Sequence, residues 1–376
     1  MAQKTKILYI TANTAFGGVT FYTKSLVEEA LRLDWDVTYE TGQAKVKEEL
    51  IYKKLKFKNF KYLDRDINLW KDLVSLFQLY FFIRKEKFEI VHTNTSKGGF
   101  IGRIAAKLAN TKIVVHTVQG FAFHEFSSKK SIFVYSFLEK LAGYFSDKII
   151  FVNKDDLNYA LKEGFVTNDK IAYIPNGIDP NNVRFEESLK VKTKKELINE
   201  LQIPENSILL GSIARITPQK GIYYLIEGFN LLKERKNIYL LIIGDGELKN
   251  ELESNSNNPN IIFLGTRKDN ARILNSLDIY VLPSLWEGLS LSLLEAMAVG
   301  LPIITTNIRG NREAINNENG LLVEPKSKAD IYSAILKLLN DKEFSNRISV
   351  VAKKDFDLKY SLNKMIKLTF QLYKNA

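Results

Sequence analysis

Short apolar runs recur along the chain and alternate with longer stretches whose apolar residues fall at helical spacing. KILYIT (6–11), FEIVH (88–92), KIVVHT (112–117) and DKIIFVN (147–153) form a first set. ILLGSIARI (208–216), IYLLIIGDGE (238–247), IIFLG (261–265), DIYVLP (278–283) and LPIITT (301–306) form a second. Uninterrupted apolar strands alternating with helices are the pattern of parallel sheets covered on both faces, so the fold class is α/β. Between the sets lies PNG (175–177), a turn followed by a charged segment, which marks a domain boundary. The chain thus divides into two βα-alternating halves, 1–178 and 179–359, and a last helix over 361–373 belongs to neither set.

The absence of cysteine excludes disulfides and cysteine-based metal or redox sites. MAQKTKILYITAN carries an apolar run of strand length rather than a signal-peptide core. No run of about twenty apolar residues occurs, so the expectation is a cytosolic protein. Lys and Arg outnumber Asp and Glu by 54 to 43, a formal charge of +11. The lysines are not interleaved with aromatics in a nucleic-acid motif. The excess fits either a Lys-rich background composition or attraction to an anionic membrane face or a diphosphate-bearing acceptor. Residues 44–61 hold seven lysines, with Tyr52, Leu55, Phe57 and Phe60 between them, and INLWKDLVSLFQLYFFIRKEK (67–87) follows as a helix rich in large apolar groups. The pair suits a lipid surface; a solvated loop beside a core helix would show the same pattern.

Ligands on parallel sheets bind at the carboxyl ends of the strands. In the first half those ends carry Gly17-Gly18, where a backbone without Cβ can approach a ligand closely or make a tight turn. They also carry two glycine-bearing loops, one opening TNTSKGG and the other VQGFAFHEFSS. All three histidines, His92, His116 and His124, fall at strand ends or in these loops, so functional and structural readings both stand.

In the second half, residues 284–300 read SLWEGLSLSLLEAMAVG. Glu287 precedes a helix and Glu295 lies about a turn inside it. A helix N-terminus seats phosphate, whereas carboxylates on either side suit sugar hydroxyls. Together they fit a ligand with a diphosphate between two sugars, a nucleotide sugar. Upstream, GSIARITPQK places Arg215 at a strand end and Lys220 before the next helix, two cations suited to a diphosphate. Gly244-Asp245-Gly246 lacks the third glycine of a dinucleotide fingerprint, and no phosphate-binding loop of the Walker type is present. Three DxD triplets, at Asp34/Asp36, Asp64/Asp66 and Asp355/Asp357, follow no clear buried strand and read as surface features, so no metal is expected.

With these residues assembled, the chain resembles the family-four retaining glycosyltransferases of the GT-B fold. The resemblance covers nearly the whole chain and is strongest over 211–323, resting on Gly17-Gly18, PNGID, Arg215, Lys220, GDGE, the E-x7-E of Glu287 and Glu295, GLPII and NGLLV. It implies two Rossmann-like domains facing across a cleft, an N-terminal acceptor domain and a C-terminal donor domain, with residues 360–376 crossing back to the first. It implies that Arg215 and Lys220 hold the diphosphate, that Glu295 accepts from the ribose and that Glu287 binds the transferred sugar. Gly244 and the backbone at Gly288, Leu289 and Ser290 would line the donor, with Gly17-Gly18 closing over it. Gln119 and Lys97 would lie on the acceptor side.

One departure concerns a TxHG-like turn, which here is Thr117-Val118-Gln119-Gly120, so Gln119 stands where many members have a histidine. His116 or His124 could substitute. On the family's same-face mechanism the leaving diphosphate assists acceptor deprotonation, and no histidine is strictly required. NIRGNREAI (307–315) and GFAFHE look most like enzymes of bacterial surface polysaccharide synthesis, which extend sugars on polyprenyl diphosphate at the inner membrane face. The expectation is therefore a metal-independent, cofactor-free retaining transferase. It would use a UDP-sugar, an N-acetylated hexosamine among the candidates, and a lipid-linked saccharide, as a cytoplasmic protein peripheral to the membrane, with no nucleic-acid partner. A nucleotide-sugar epimerase of the same fold and a non-catalytic nucleotide-sugar-binding subunit are the alternatives.

Overall fold

The computed structural model describes residues 4–12, 17–40, 54–63, 68–232 and 235–375. The chain divides into two units, Met1–Asn176 with Lys364–Ala376, and Gly177–Asn363.

The first unit contains β1 (Lys6–Ile10), α1 (Gly18–Arg32), β2 (Asp36–Glu40), β3 (Lys56–Lys58), α2 (Leu69–Glu86), β4 (Ile90–Asn94), α3 (Ser96–Leu108), β5 (Ile113–Val118), α4 (Lys129–Tyr144), β6 (Lys148–Phe151), α5 (Lys154–Lys162) and β7 (Ile171–Tyr173). Its seven strands pair in parallel in the order β3-β2-β1-β4-β5-β6-β7. Helices cover both faces, which is why Ile7, Leu8, Val91, Val114 and Val115 are all fully buried. From β1 the chain steps out to β2 and β3, then returns to β4 on the other side of β1. Such a reversal leaves a crevice beyond the carboxyl ends of the two central strands.

The second unit contains α6 (Glu187–Glu200), β8 (Ile208–Ile213), α7 (Ile222–Phe229), β9 (Ile238–Ile243), α8 (Lys249–Ser254), β10 (Ile261–Gly265), α9 (Asn270–Ser276), β11 (Ile279–Leu282), α10 (Leu291–Val299), β12 (Ile303–Thr306), α11 (Asn311–Ala314), β13 (Leu321–Val323), α12 (Lys328–Asn340) and α13 (Lys342–Lys359). Its parallel sheet has the order β10-β9-β8-β11-β12-β13, the same reversal placed between β8 and β11.

The last helix, α14 (Leu362–Asn375), buries Met365, Thr369, Phe370 and Tyr373 along one face. Phe370 and Tyr373 pack on Trp35 at ring separations of 5.2 and 6.1 Å. On the sequence alone, all of 360–376 is expected with the first half. Residues 360–363 instead go with the second unit, because Ile178 N–H donates to the Tyr360 carbonyl (3.1 Å) and Leu362 N–H to that of Ile178 (2.9 Å). This bridge explains the glycine of the PNG turn: a Cβ on Gly177 would lie 2.5 Å from the Ser361 carbonyl oxygen. The division consequently falls between Asn176 and Gly177, two residues before the expected position.

Candidate active site

The loops that follow β8 and β11 flank the strand reversal of the second unit, and they are tied together. Leu285 N–H donates to the Gln219 carbonyl (2.7 Å), and the Gln219 side-chain amide donates to the Trp286 carbonyl (2.9 Å). These bonds carry Lys220, next to Gln219, to Glu287, next to Trp286, and the ammonium donates to Glu287 Oε1. The fully buried Ser284 donates to the same oxygen at 2.7 Å. Glycine makes the close approaches possible. Gly221 has φ of +62° and its missing Cβ would lie 2.2 Å from the Pro283 carbonyl oxygen. Gly244, with φ of +134°, crosses Ala214 so closely that a Cβ would lie 1.9 Å from its oxygen. Arg215, on the same β8 loop, is exposed and its guanidinium makes no ion pair among the described residues.

Leu289 and Ser290 are nearly buried ahead of α10, and Ser290 places no side-chain cap on the helix. The N–H groups of the first turn are thus left to another acceptor. One turn in, Glu295 forms no ion pair among the described residues, and burial pushes its carboxyl up to about 7. A half-buried carboxylate of that kind can accept from hydroxyl donors. Gly310 of the NIRGNREAI segment packs against the same loop, a Cβ there lying 2.2 Å from the Gly288 carbonyl oxygen. The arrangement offers two cations and a helix N-terminus for phosphates, with carboxylates on both sides for hydroxyls.

In the first unit Gly17 and Gly18 start α1, Gly17 in extended backbone that any residue adopts. His92 and His116 point into the two buried faces of the sheet. His92 Nδ1 pairs with the Tyr373 hydroxyl and Nε2 with Thr117 Oγ1 (2.7 Å), and burial pulls its pKa down to about 3. His116 lies under α3, where a Cβ on Gly99 would meet its ring at 2.4 Å, and it pairs with Thr93 Oγ1 (2.9 Å). Its pKa is driven well down, first by burial and then by Arg103. Both rings are consumed by packing, and the structure places His116 in the interior rather than at an open face. His124 sits in the loop between β5 and α4, half-buried, its Nδ1 accepting from the Phe126 N–H (3.2 Å).

Lys97 and Gln119 line one cavity of this unit. Lys97 pairs with Asp72 at 2.7 Å. Gln119 Oε1 accepts from Asn176 (3.0 Å), while its amide nitrogen is buried without a partner among the described residues. The sequence reading missed Asn94, which ends β4 fully buried with neither amide atom partnered among the described residues. A polar residue closing an apolar strand was the available signal. It also missed Ser284 and Gln219, which only the loop contacts reveal.

Asp34 pairs with Lys4 and Lys54, Asp36 with Lys56, Asp355 with Lys359 and Asp357 with Arg184, while Asp64 and Asp66 lie outside the described residues. The lysine-rich stretch lies partly outside them too, over 41–53. Among the described residues no helix is long and apolar enough to cross a membrane.

Residues 16–182 match the model described as Glycosyltransferase Family 4, and residues 193–355 that of Glycosyl transferases group 1. Among curated relatives, the UDP-Gal:alpha-D-GlcNAc-diphosphoundecaprenol alpha-1,3-galactosyltransferase of Escherichia coli is 39% identical, aligned over 74% of each chain. The N,N'-diacetylbacillosaminyl-diphospho-undecaprenol alpha-1,3-N-acetylgalactosaminyltransferase of Campylobacter jejuni is 30% identical over 82% of each. Among solved structures, Anabaena HepE in complex with UDP and glucose superposes with a TM-score of 0.83 at 18% identity, covering 99% of this chain and 100% of that one. Two Rossmann-like parallel-sheet units, both family models and relatives aligned over most of their length give one assignment: the chain is a glycosyltransferase of family four, with the GT-B fold.

Proposed function

We propose that this glycosyltransferase retains anomeric configuration. It draws on a UDP-sugar, a hexose or N-acetylhexosamine, and transfers the sugar to a saccharide on polyprenyl diphosphate in surface-polysaccharide synthesis. The observation that carries the reading is the Lys220–Glu287 pair at the β8/β11 reversal, with Arg215 on the same loop. The two cations take up the charge of the departing diphosphate, an electrostatic contribution of the kind that often dominates transfer catalysis, and this is the basis for needing no divalent metal. Glu287 orients the sugar and Glu295 the ribose. The bond from the anomeric carbon to the β-phosphate oxygen breaks, and the acceptor oxygen bonds on the same face. The acceptor proton passes to the departing phosphate oxygen, so no protein base is needed, in keeping with Gln119 and with the enclosed His116.

The acceptor class is supported by the Escherichia coli and Campylobacter jejuni relatives, whose names specify diphospho-undecaprenol-linked sugars. An acceptor of that kind would hold the enzyme at the inner membrane face as a peripheral protein. The test is incubation with UDP-sugars and a polyprenyl-diphosphate-linked saccharide. UDP release should require the acceptor, the new linkage should keep the donor's anomeric configuration by NMR, and EDTA should leave the rate unchanged. Inverted product would end the retaining assignment, and loss of rate with EDTA the metal-independent one. Donor conversion without acceptor would indicate an epimerase, and binding without release a non-catalytic subunit.

A further inference from the structure

In the first unit α3 packs between α2 and α4, and each flanking helix turns an apolar stripe to solvent. On α2 the stripe is Trp70, Leu73, Phe77 and Phe81; on α4 it is Phe133, Phe137, Leu141 and Tyr144. Trp70 and Phe133 are 74% and 73% exposed. Contiguous exposed apolar surface of this kind marks an interaction site. Among the described residues of both helices, every exposed charged side chain is a cation: Arg84 and Lys85 on α2, and Lys129, Lys130 and Lys140 on α4. Of the acidic groups, Asp72 turns to Lys97 and Glu139 to the buried Arg103, while Glu86 at the end of α2 is half-buried beside Lys6. Aromatic stripes edged mainly by cations match an anionic bilayer surface.

Between the stripes lies a cavity of about 710 Å³. Phe100, Ile101 and Ile104 of α3 line it, with Leu76 of α2 and Leu138 of α4 on either side. Leu69, 85% exposed, is also in its wall, so the cavity reaches the surface. Its other end meets the loops after β1, β4 and β5, where the polar groups are Lys97 with its partner Asp72, Glu139 with its partner Arg103, and the unpartnered amide nitrogen of Gln119. An apolar cavity that opens at this surface and meets polar groups at the strand termini suits a prenyl chain that carries a polar head.

We propose that this groove seats the isoprenoid chain of the acceptor, with its diphosphate at the Lys97–Gln119 end and the chain entering from the bilayer between the α2 and α4 stripes. The inference rests on the reading of the acceptor as polyprenyl-linked. It is tested with a photoreactive polyprenyl diphosphate carrying no sugar, presented in detergent micelles to wild type, Ile104→Trp and Leu138→Trp. Both positions are half-buried in the groove wall, so a larger side chain fills the slot without entering the core. Wild type should crosslink to α2, α3 and α4, and each variant should lose about tenfold or more in affinity while melting near the wild-type temperature. Crosslinks confined to other elements, or undiminished binding in both variants, would overturn the groove. Groove crosslinking without sugar transfer to the saccharide-bearing form would sustain the groove and end the lipid-linked acceptor reading. Transfer without groove crosslinking would do the reverse.

Discussion

The Lys220 ammonium donates to Glu287 Oε1, joining the loop after β8 to the loop after β11 at the strand reversal of the second unit. The side chains are only 13% and 8% exposed, so each holds the other's charge in a partly desolvated place. A donor's diphosphate would enter beside this pair and draw on a cation that is already positioned.

Removing that cation separates its structural and chemical roles. Breaking a fully buried pair costs about 3–5 kcal/mol, and for this partly open one Lys220→Ala should cost about 1–3 kcal/mol, since it strands the carboxylate. Adding Glu287→Gln should restore most of that stability. Transfer should stay at least about a hundredfold below wild type in both variants. Urea unfolding and acceptor-dependent UDP release, measured side by side, check the two halves. Recovery of turnover in the double variant would remove Lys220 from the transfer step.

Glu295 gives a pH prediction with a fixed sign. Its carboxyl is pushed up from 4.5 to about 7 by burial, so the folded state binds its proton more tightly than the unfolded chain. This contribution is therefore harmless below about 4.5 and costs stability progressively as pH rises towards 7, by about 3 kcal/mol in all. Glu295→Gln should match wild type in unfolding midpoint at the acid end and exceed it above pH 7. Ribose hydroxyls donating to the carboxylate would favour its charged form, so UDP binding near pH 6 should release a proton. Calorimetry in two buffers of different ionisation enthalpy should show that release in wild type and not in Glu295→Gln, which should also bind UDP more weakly.

Much of this site was legible in the sequence because it depends on chain order. Apolar runs gave the strands, and Arg215, Lys220 and Glu287 follow them at loop positions that any parallel sheet presents on one edge, with Glu295 in the first turns of the helix after one such loop. Side-chain direction was not legible. His92 and His116 lie inside β4 and β5 rather than at the strand ends, and the pleat turns each into a buried face, where Thr117, Tyr373 and Thr93 complete their hydrogen bonds. The stripe on α4 was hidden for a related reason. Phe133, Phe137, Leu141 and Tyr144 recur at the spacing of a core-facing helix, while the buried residues there are the small Ala142 and Gly143. Periodicity locates an apolar face without saying what covers it.

Gly310 tests how the donor loop is supported. Its φ is +79°, and a Cβ there would lie only 2.2 Å from the Gly288 carbonyl oxygen, which leaves no room for a side chain. Gly310→Ala should destabilise the protein by about 1–3 kcal/mol through backbone strain and displacement of the 287–288 loop. Donor affinity should fall as well, because that loop carries Glu287. Thermal melting with and without UDP measures both effects, and a wild-type UDP-induced shift in the variant would show that the contact does not support the donor loop.

The outward stripes of α2 and α4 predict binding to anionic lipid vesicles. Phe77 and Phe137 are 53% and 61% exposed, so Phe77→Ser with Phe137→Ser should leave the melting temperature near wild type. Each ring that inserts removes apolar surface from water, about 1.5–3 kcal/mol for full burial. Losing both should weaken binding to vesicles at least about tenfold even if insertion is shallow. Wild type should sediment with phosphatidylglycerol vesicles and much less with phosphatidylcholine, because Arg84, Lys85, Lys129, Lys130 and Lys140 need anionic headgroups. Raising salt to about 0.5 M should weaken that preference, since exposed charges are screened within a few ångströms there. The two contributions are separable: salt should reduce the lipid preference of the double serine variant as it does that of wild type, from a weaker starting point. Equal sedimentation of both proteins at low salt would mean that the cations alone hold the membrane and that the aromatic stripes face something else.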